Sequence, residues 1–301
     1  MKLTYKHLLP ALVAVAFVTG GVTKALGQDD LLRELAQSSA PERKFTFATF
    51  KGTRVLNGHS VETKNKGELE VFIAHRFGRL NSGPVNFWGL DESYIRIGLE
   101  YGITDRLGVG VGRNSYYDIY DGYLKYKLVR QREAGAPFTI TVLTAMGLQT
   151  YPTRKDDSTL SFFDRASYTY ELLIARKLSP GVSIQFTPGL VHANRVDQTL
   201  LKNNQFFLGI GGRCKLTPSL SLNVEYFARI NPLAFSPYHN CIGIGFDLET
   251  GGHVFQFIFS NTQGMIERTF INESEGRFFK GGINFGFNIT RMFQLGRKPG
   301  D

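Results

Sequence analysis

The sequence predicts an all-β protein, an antiparallel transmembrane β-barrel of about 12 strands, with 14 as the alternative count, joined by short periplasmic turns and long extracellular loops. Three observations lead there. Residues 281–290, GGINFGFNIT, put Ile283, Phe285, Phe287 and Ile289 on one parity and Asn284, Gly286, Asn288 and Thr290 on the other, and this two-residue period recurs from Gly67 onward. The connections between these segments alternate between short and long, as they do when one barrel end carries turns and the other loops. The chain also opens with the order of segments that directs export.

Taken from the start, residues 1–27 carry Lys2 and Lys6, an apolar run from Leu8 to Val22, and the small-residue end Ala25-Leu26-Gly27. The run is shorter than the ~20 apolar residues a spanning helix needs and is broken by Pro10, so it reads as a signal peptide cleaved after Gly27. No Cys follows the small residues, which leaves no lipid-attachment site. Residues 28–66 form an N-terminal segment, expected in the periplasm or inside the barrel, with a short helix in DDLLRELAQ and an extended stretch near 45–56. A strand there would make the count odd and break the closure, hence its exclusion from the wall.

The barrel is expected over 67–295, followed by a tail at 296–301. Its strands read as 67–78, 93–104, 107–114, 122–130, 138–149, 163–178, 182–193, 205–216, 220–230, 241–249, 253–261 and 282–294. Most match the roughly 9–11 residues that a tilted strand needs to cross hydrocarbon. Pro188 removes a ladder donor and predicts a bulge. TDR at 104–106, LSPG at 178–181, LTPS at 216–219 and ETGG at 249–252 are the tight turns; SYYDIYD at 115–121 is among the loops.

Composition agrees with half-apolar strands: 33 glycines, 13% aromatics and a mean hydropathy of −0.14. A soluble sandwich would share that balance, so the export signal, the turn alternation and the aromatic strand ends are what turn the apolar parity toward lipid. Leu69, Val71, Ile73, Ile95, Ile97 and Leu99 then face outward. The opposite parity supplies the candidate lumen lining: Arg76, Arg96, Glu100, Lys125, Lys127, Glu171, Lys177, Arg213, Lys215, Glu225, Arg229 and Asp247. With Glu68, Glu70 and Glu249 this face holds eight basic and seven acidic residues.

The charge pattern excludes some classes. Removing Lys2, Lys6 and Lys24 with the signal lowers the net charge from +9 to +6 (32 basic, 26 acidic), spread along the chain rather than clustered, and export argues further against nucleic acid. The glycines at 108, 110 and 112 precede no Lys-Ser/Thr and open no helix, so they are no phosphate loop. His59, His75, His192, His239 and His253 show no metal-ligand spacing; His59 has Glu62 as its close acid partner, read as a loop hydrogen bond. No catalytic, cofactor or metal residue is assigned. Cys214 and Cys241 fall on opposite parities of strands about 9–10 Å apart, beyond the ~7 Å a disulfide spans, and are expected to be free.

ATFKGTRVLNGHSVET (48–63), HRFGRLNSG (75–83), TGGHVFQFIFSNTQGMIE (250–267) and INFGFNITR (283–291) resemble the outer-membrane β-barrel family called domain-of-unknown-function 5777, over roughly residues 45–295. The resemblance implies the outer membrane of a Gram-negative bacterium and brings no activity or catalytic residue.

The functional expectation is a narrow pore or transport component for small polar solutes, surrounded by outer-membrane lipid. It rests on inward glycines, Gly98, Gly209, Gly211, Gly243, Gly245 and Gly286, read as leaving open space. The alternative is a sealed barrel that serves as a membrane anchor or interaction platform. A lipid hydrolase comes third and would need groups such as His75, Asn81 and Ser82 to converge at the outer rim.

Overall fold

Alternation produces a wall with two different faces. On the second strand Ile97 is 52% exposed while its neighbour Arg96 is 1% exposed, and the same contrast repeats round the molecule. The computed structural model of the chain describes residues 45–46, 48–133, 135–150 and 161–295. The export signal at 1–27, the short helix expected within 28–44, the loop stretch 151–160 and the tail at 296–301 lie outside the described residues.

Twelve antiparallel strands close into a barrel: β1 Glu68–Arg79, β2 Ser93–Gly102, β3 Leu107–Asn114, β4 Ile119–Val129, β5 Thr139–Gln149, β6 Ala166–Lys177, β7 Val182–Ala193, β8 Asn204–Lys215, β9 Leu220–Arg229, β10 Cys241–Thr250, β11 His253–Ser260 and β12 Asn284–Gln294. Each strand pairs with its sequence neighbour, and the seam is β1 on β12, with Ile73 opposite Ile289. Closure removes the unpaired edges that an open sheet would carry into lipid. The stretch 283–290 lies as its alternation requires: Asn284 and Asn288 are buried inside, whereas Phe285 and Phe287 sit on the outer face.

Two expectations change. β4 starts at Ile119, so the loop before it shrinks to residues 115–118 and Asp121 joins the inner face. Pro188 causes no bulge: the register Glu171 opposite Gly189 continues to Ile174 opposite Phe186 with the same offset, and only the rungs between them are missing. Proline deletes one donor, and the rung on its other side, Pro188 opposite Leu208, is kept.

Candidate functional site

The lumen is occupied. Residues 49–64, ahead of β1, enter from the turn end and fold into a hairpin, with Arg54 bridged to His59, Ser60 N donating to Thr53 O at 2.9 Å and Val55 N to Gly58 O at 2.8 Å. Asn57-Gly58 is a turn sequence, and a side chain is excluded at Gly58 because a Cβ would lie 2.4 Å from Cζ of Phe227.

A hairpin with no sheet beside it leaves backbone groups to be satisfied, and the wall satisfies them. Glu225 accepts from Asn57 N (3.0 Å), Asn57 Nδ2 (2.8 Å) and Gly58 N (3.2 Å). Arg76 Nη2 donates to Asn57 Oδ1 at 2.9 Å. Asn288 and Gln256 donate to the carbonyls of Leu56 and Val55, each at 3.1 Å. Gln185 brackets the return strand, accepting from Val61 N at 2.9 Å and donating to His59 O at 2.7 Å. Lys125 Nζ donates to Thr53 O (2.8 Å) and Glu62 O (3.2 Å). Nearer the turn end, Lys64 pairs with Glu70, Lys127 with Glu62 at 3.2 Å and Lys51 with Glu249 at 2.6 Å.

The loop end closes from the other side. The β11–β12 connection folds inward and carries a short helix, α1 (Glu267–Asn272), whose Phe270 and Ile271 pack with Val191, Phe207, Phe227 and Cys241. Hairpin and loop meet at Glu267, whose Oε1 lies 3.2 Å from Arg54 Nη1 and 3.5 Å from His59 Nε2. On the opposite flank Phe50, Val55 and Val61 pack against Tyr123, Leu143, Leu173 and Ala175.

The twelve candidate lining residues all occupy the inner parity, yet they do different things. Arg76, Lys125, Lys127 and Glu225 hold the hairpin. Arg96 forks onto Asp121, with Nε at 2.9 Å from Oδ1, and Glu100 accepts from Tyr123 Oη at 2.8 Å. Asp247 accepts from Gln256 at 2.8 Å. Arg213 donates to Ser221 and Glu249 near the turn end, and Arg229 to Asn272 O near the loop end. Glu171 is buried with no hydrogen-bond partner among the described residues. Lys177 is half-buried and Lys215 exposed, both at the turn end.

The glycine argument for open space is overturned. A Cβ on Gly245 would lie 2.6 Å from Leu56, one on Gly211 3.4 Å from Val55, and one on Gly286 2.5 Å from Arg76. These glycines make room for the hairpin and for wall side chains, not for water. The expected hydrogen bond of His59 to Glu62 is not made: Glu62 Oε1 accepts from Thr49 N at 2.8 Å, and the His59 ring nitrogens have no hydrogen-bond partner among the described residues, the nearest carboxylate being Glu267 at 3.5 Å from Nε2. His75 turns to the outer face, its ring stacked 5.3 Å from Phe287, while Ser82 Oγ donates to Arg79 O at 2.8 Å, so the trio a hydrolase would need does not converge. Sequence reasoning missed Asp121, Arg54, Asn57 and Glu267. Extending the Tyr123–Lys125–Lys127 parity backward would have found Asp121; the other three lie in segments without strand alternation.

Among solved structures the chain is similar to the NanC porin (TM-score 0.47, 8% identity, covering 74% of this chain and 98% of that one). Others are the KdgM porin (0.46, 7%, 75% and 99%) and Omp33 of Acinetobacter baumannii (0.42, 10%, 76% and 99%). No curated protein sequence matches the chain. A family profile described as a membrane bound beta barrel domain (DUF5777) matches residues 50–293, a span that takes in hairpin 53–60 and all the strands but for Gln294, the last residue of β12. The chain therefore belongs to the DUF5777 family of membrane-bound β-barrels.

Proposed function

We propose that the protein is a plugged channel of the Gram-negative outer membrane, built to pass small polar solutes and held shut by hairpin 53–60. One observation carries the reading: a set of inward charged and amide side chains, Glu225, Gln185 and Lys125 among them, is spent on the backbone of an inserted segment. A wall written this way stays polar when the segment leaves, which is what a solute path requires. A barrel of about 12 strands also lies between the sizes that side chains fill and those that leave a channel.

Planar-bilayer recording tests it. The intact protein should be silent, and a folded variant lacking both residues 49–64 and α1, which closes the loop end, should conduct. Steady conductance by the intact protein would remove the plug from the reading. Silence in the folded deletion variant would favour a permanently sealed anchor or platform, the second reading, which draws support from the apolar packing of Phe50, Val55 and Val61 against the wall.

A further inference from the structure

A cavity of about 190 Å³ opens on the loop side, away from the hairpin, where the β3–β4, β7–β8, β9–β10 and β11–β12 connections meet. Its polar and aromatic walls are Tyr117, Tyr238, Gln149, Asp197, Arg268 and Glu273, over a floor that includes Leu200 and Leu201. Two phenol rings, two carboxylates and one guanidinium line this small concavity.

The guanidinium is already engaged. Arg268 Nη1 donates to Gln149 Oε1 at 3.2 Å, and Nη2 lies 3.6 Å from Glu273 Oε1. Glu273 is 7% exposed, and its second oxygen, Oε2, has no hydrogen-bond partner among the described residues. A carboxylate is costly to bury with half its acceptor capacity unused. The aromatic wall is held by unusual backbone: Tyr117 (φ 60°) and Asp118 (φ 52°) are both left-handed, a conformation that residues other than glycine rarely adopt. The Tyr117 ring is backed by Tyr116 at 4.3 Å between centroids, and Tyr116 by Tyr94 at 4.8 Å.

Carboxylates outnumber guanidiniums along the lining, Asp197 and Glu273 against Arg268. Burial, and next the Glu273 charge, push the Tyr117 phenol up to about 12. Burial pushes the Tyr238 phenol up as well, helped by Glu273, Glu275 and Asp197. A site of negative potential walled by ring faces suits a compact positive charge carried on apolar substituents, which gains both ion pairing and cation–π attraction.

We propose that this cavity is a binding site for a small organic cation of the alkylammonium class, with Glu273 as counter-ion and Tyr117 and Tyr238 as the aromatic walls. A neutral polyol forgoes the ion-pair and cation–π attraction, and an anion would be repelled by the two carboxylates.

Titration calorimetry of the full-length barrel in non-ionic detergent, with choline as the probe, tests the proposal. Saturable choline binding is expected, together with none for acetate or glucose at the same concentrations. Glu273→Gln and Tyr238→Ala should each weaken it at least tenfold, and Tyr238→Phe, which keeps the ring, should retain it. Each variant is first checked for the heat-modifiable gel mobility of a folded barrel. Absent choline saturation by the folded protein, undiminished affinity in folded Glu273→Gln, or glucose binding in preference to choline would each overturn it.

Discussion

Asn57 and Glu225, 168 residues apart in sequence, are joined through both the backbone and the side chain of the asparagine, with Nδ2 at 2.8 Å and N at 3.0 Å from the same carboxylate oxygen. The contact sits at the tip of the hairpin, where Arg76 grips Asn57 from the other side. Removing the carboxylate strands two backbone donors, the asparagine amide and a nearby buried guanidinium together. Glu225→Ala should therefore cost about 3–5 kcal/mol of hairpin docking, and Glu225→Gln, which keeps an acceptor, distinctly less. Limited proteolysis within residues 49–64 reads this out; equal protection in wild type and Glu225→Ala would contradict the assigned anchoring.

Gly58 gives a steric version of the same test. Its missing Cβ is the space that the Phe227 ring occupies, 2.4 Å from where that atom would be. Gly58→Ala should raise proteolysis of the hairpin, and Gly58→Ala with Phe227→Leu should recover much of the loss. Failure of the double variant to recover would place the cost in the turn conformation rather than in the contact.

The two cysteines should differ in reactivity. Cys214 is exposed near the turn end and Cys241 is buried against α1, and both are free thiols. Maleimide should add one label to the folded barrel and two after heating in detergent. Mass spectrometry locates the label, and modification of Cys241 in the folded protein would mean that the loop end stands open.

Loop docking should depend on pH through Glu273. Burial raises its carboxyl above the ordinary range, opposed by Arg268 and aided by Glu275. A folded-state value above the unfolded one means that the docked loop binds a proton more readily than the free loop does. Docking is then strongest below the ordinary carboxylate pKa and weakens as pH rises through the raised one. Protection factors over 261–276, the intrinsic hydrogen-exchange rate divided by the observed rate at each pH, should be higher at pH 4 than at pH 8 in the wild type. The same comparison in Glu273→Gln should show a smaller pH difference; an unchanged one would assign the effect to another group.

The wall was legible because its signal is local. A period of two over eight to twelve residues fixes which side chains share a face, and turn length then fixes the barrel ends. The occupied lumen was not legible, for the opposite reason. Hairpin 53–60 is held by side chains from β1, β4, β7, β9, β11 and β12, each strand supplying one or two residues with no periodicity of their own. Inward glycines carry the same letter whether they face water or a packed Leu56, so their parity could not separate an open lumen from a filled one. Asp121 was lost because the aromatic run around it resembles a loop, although its residues continue the alternation of β4.

The position of hairpin 53–60 in the chain bears on the order of assembly. It precedes β1 directly, and β1 is one lip of the seam that β12 closes. Glu225, Gln256 and Asn288, three of its wall partners, belong to β9, β11 and β12, the late part of the chain. The hairpin thus lacks a large part of its binding surface until nearly the whole wall has been made, while the wall keeps inward charges without counterparts until the hairpin arrives. Zipping of β12 onto β1 completes the surface on which the hairpin seats, and a chain that joins its lips while the tip is still outside has the hydrated, polar interior of the unplugged channel.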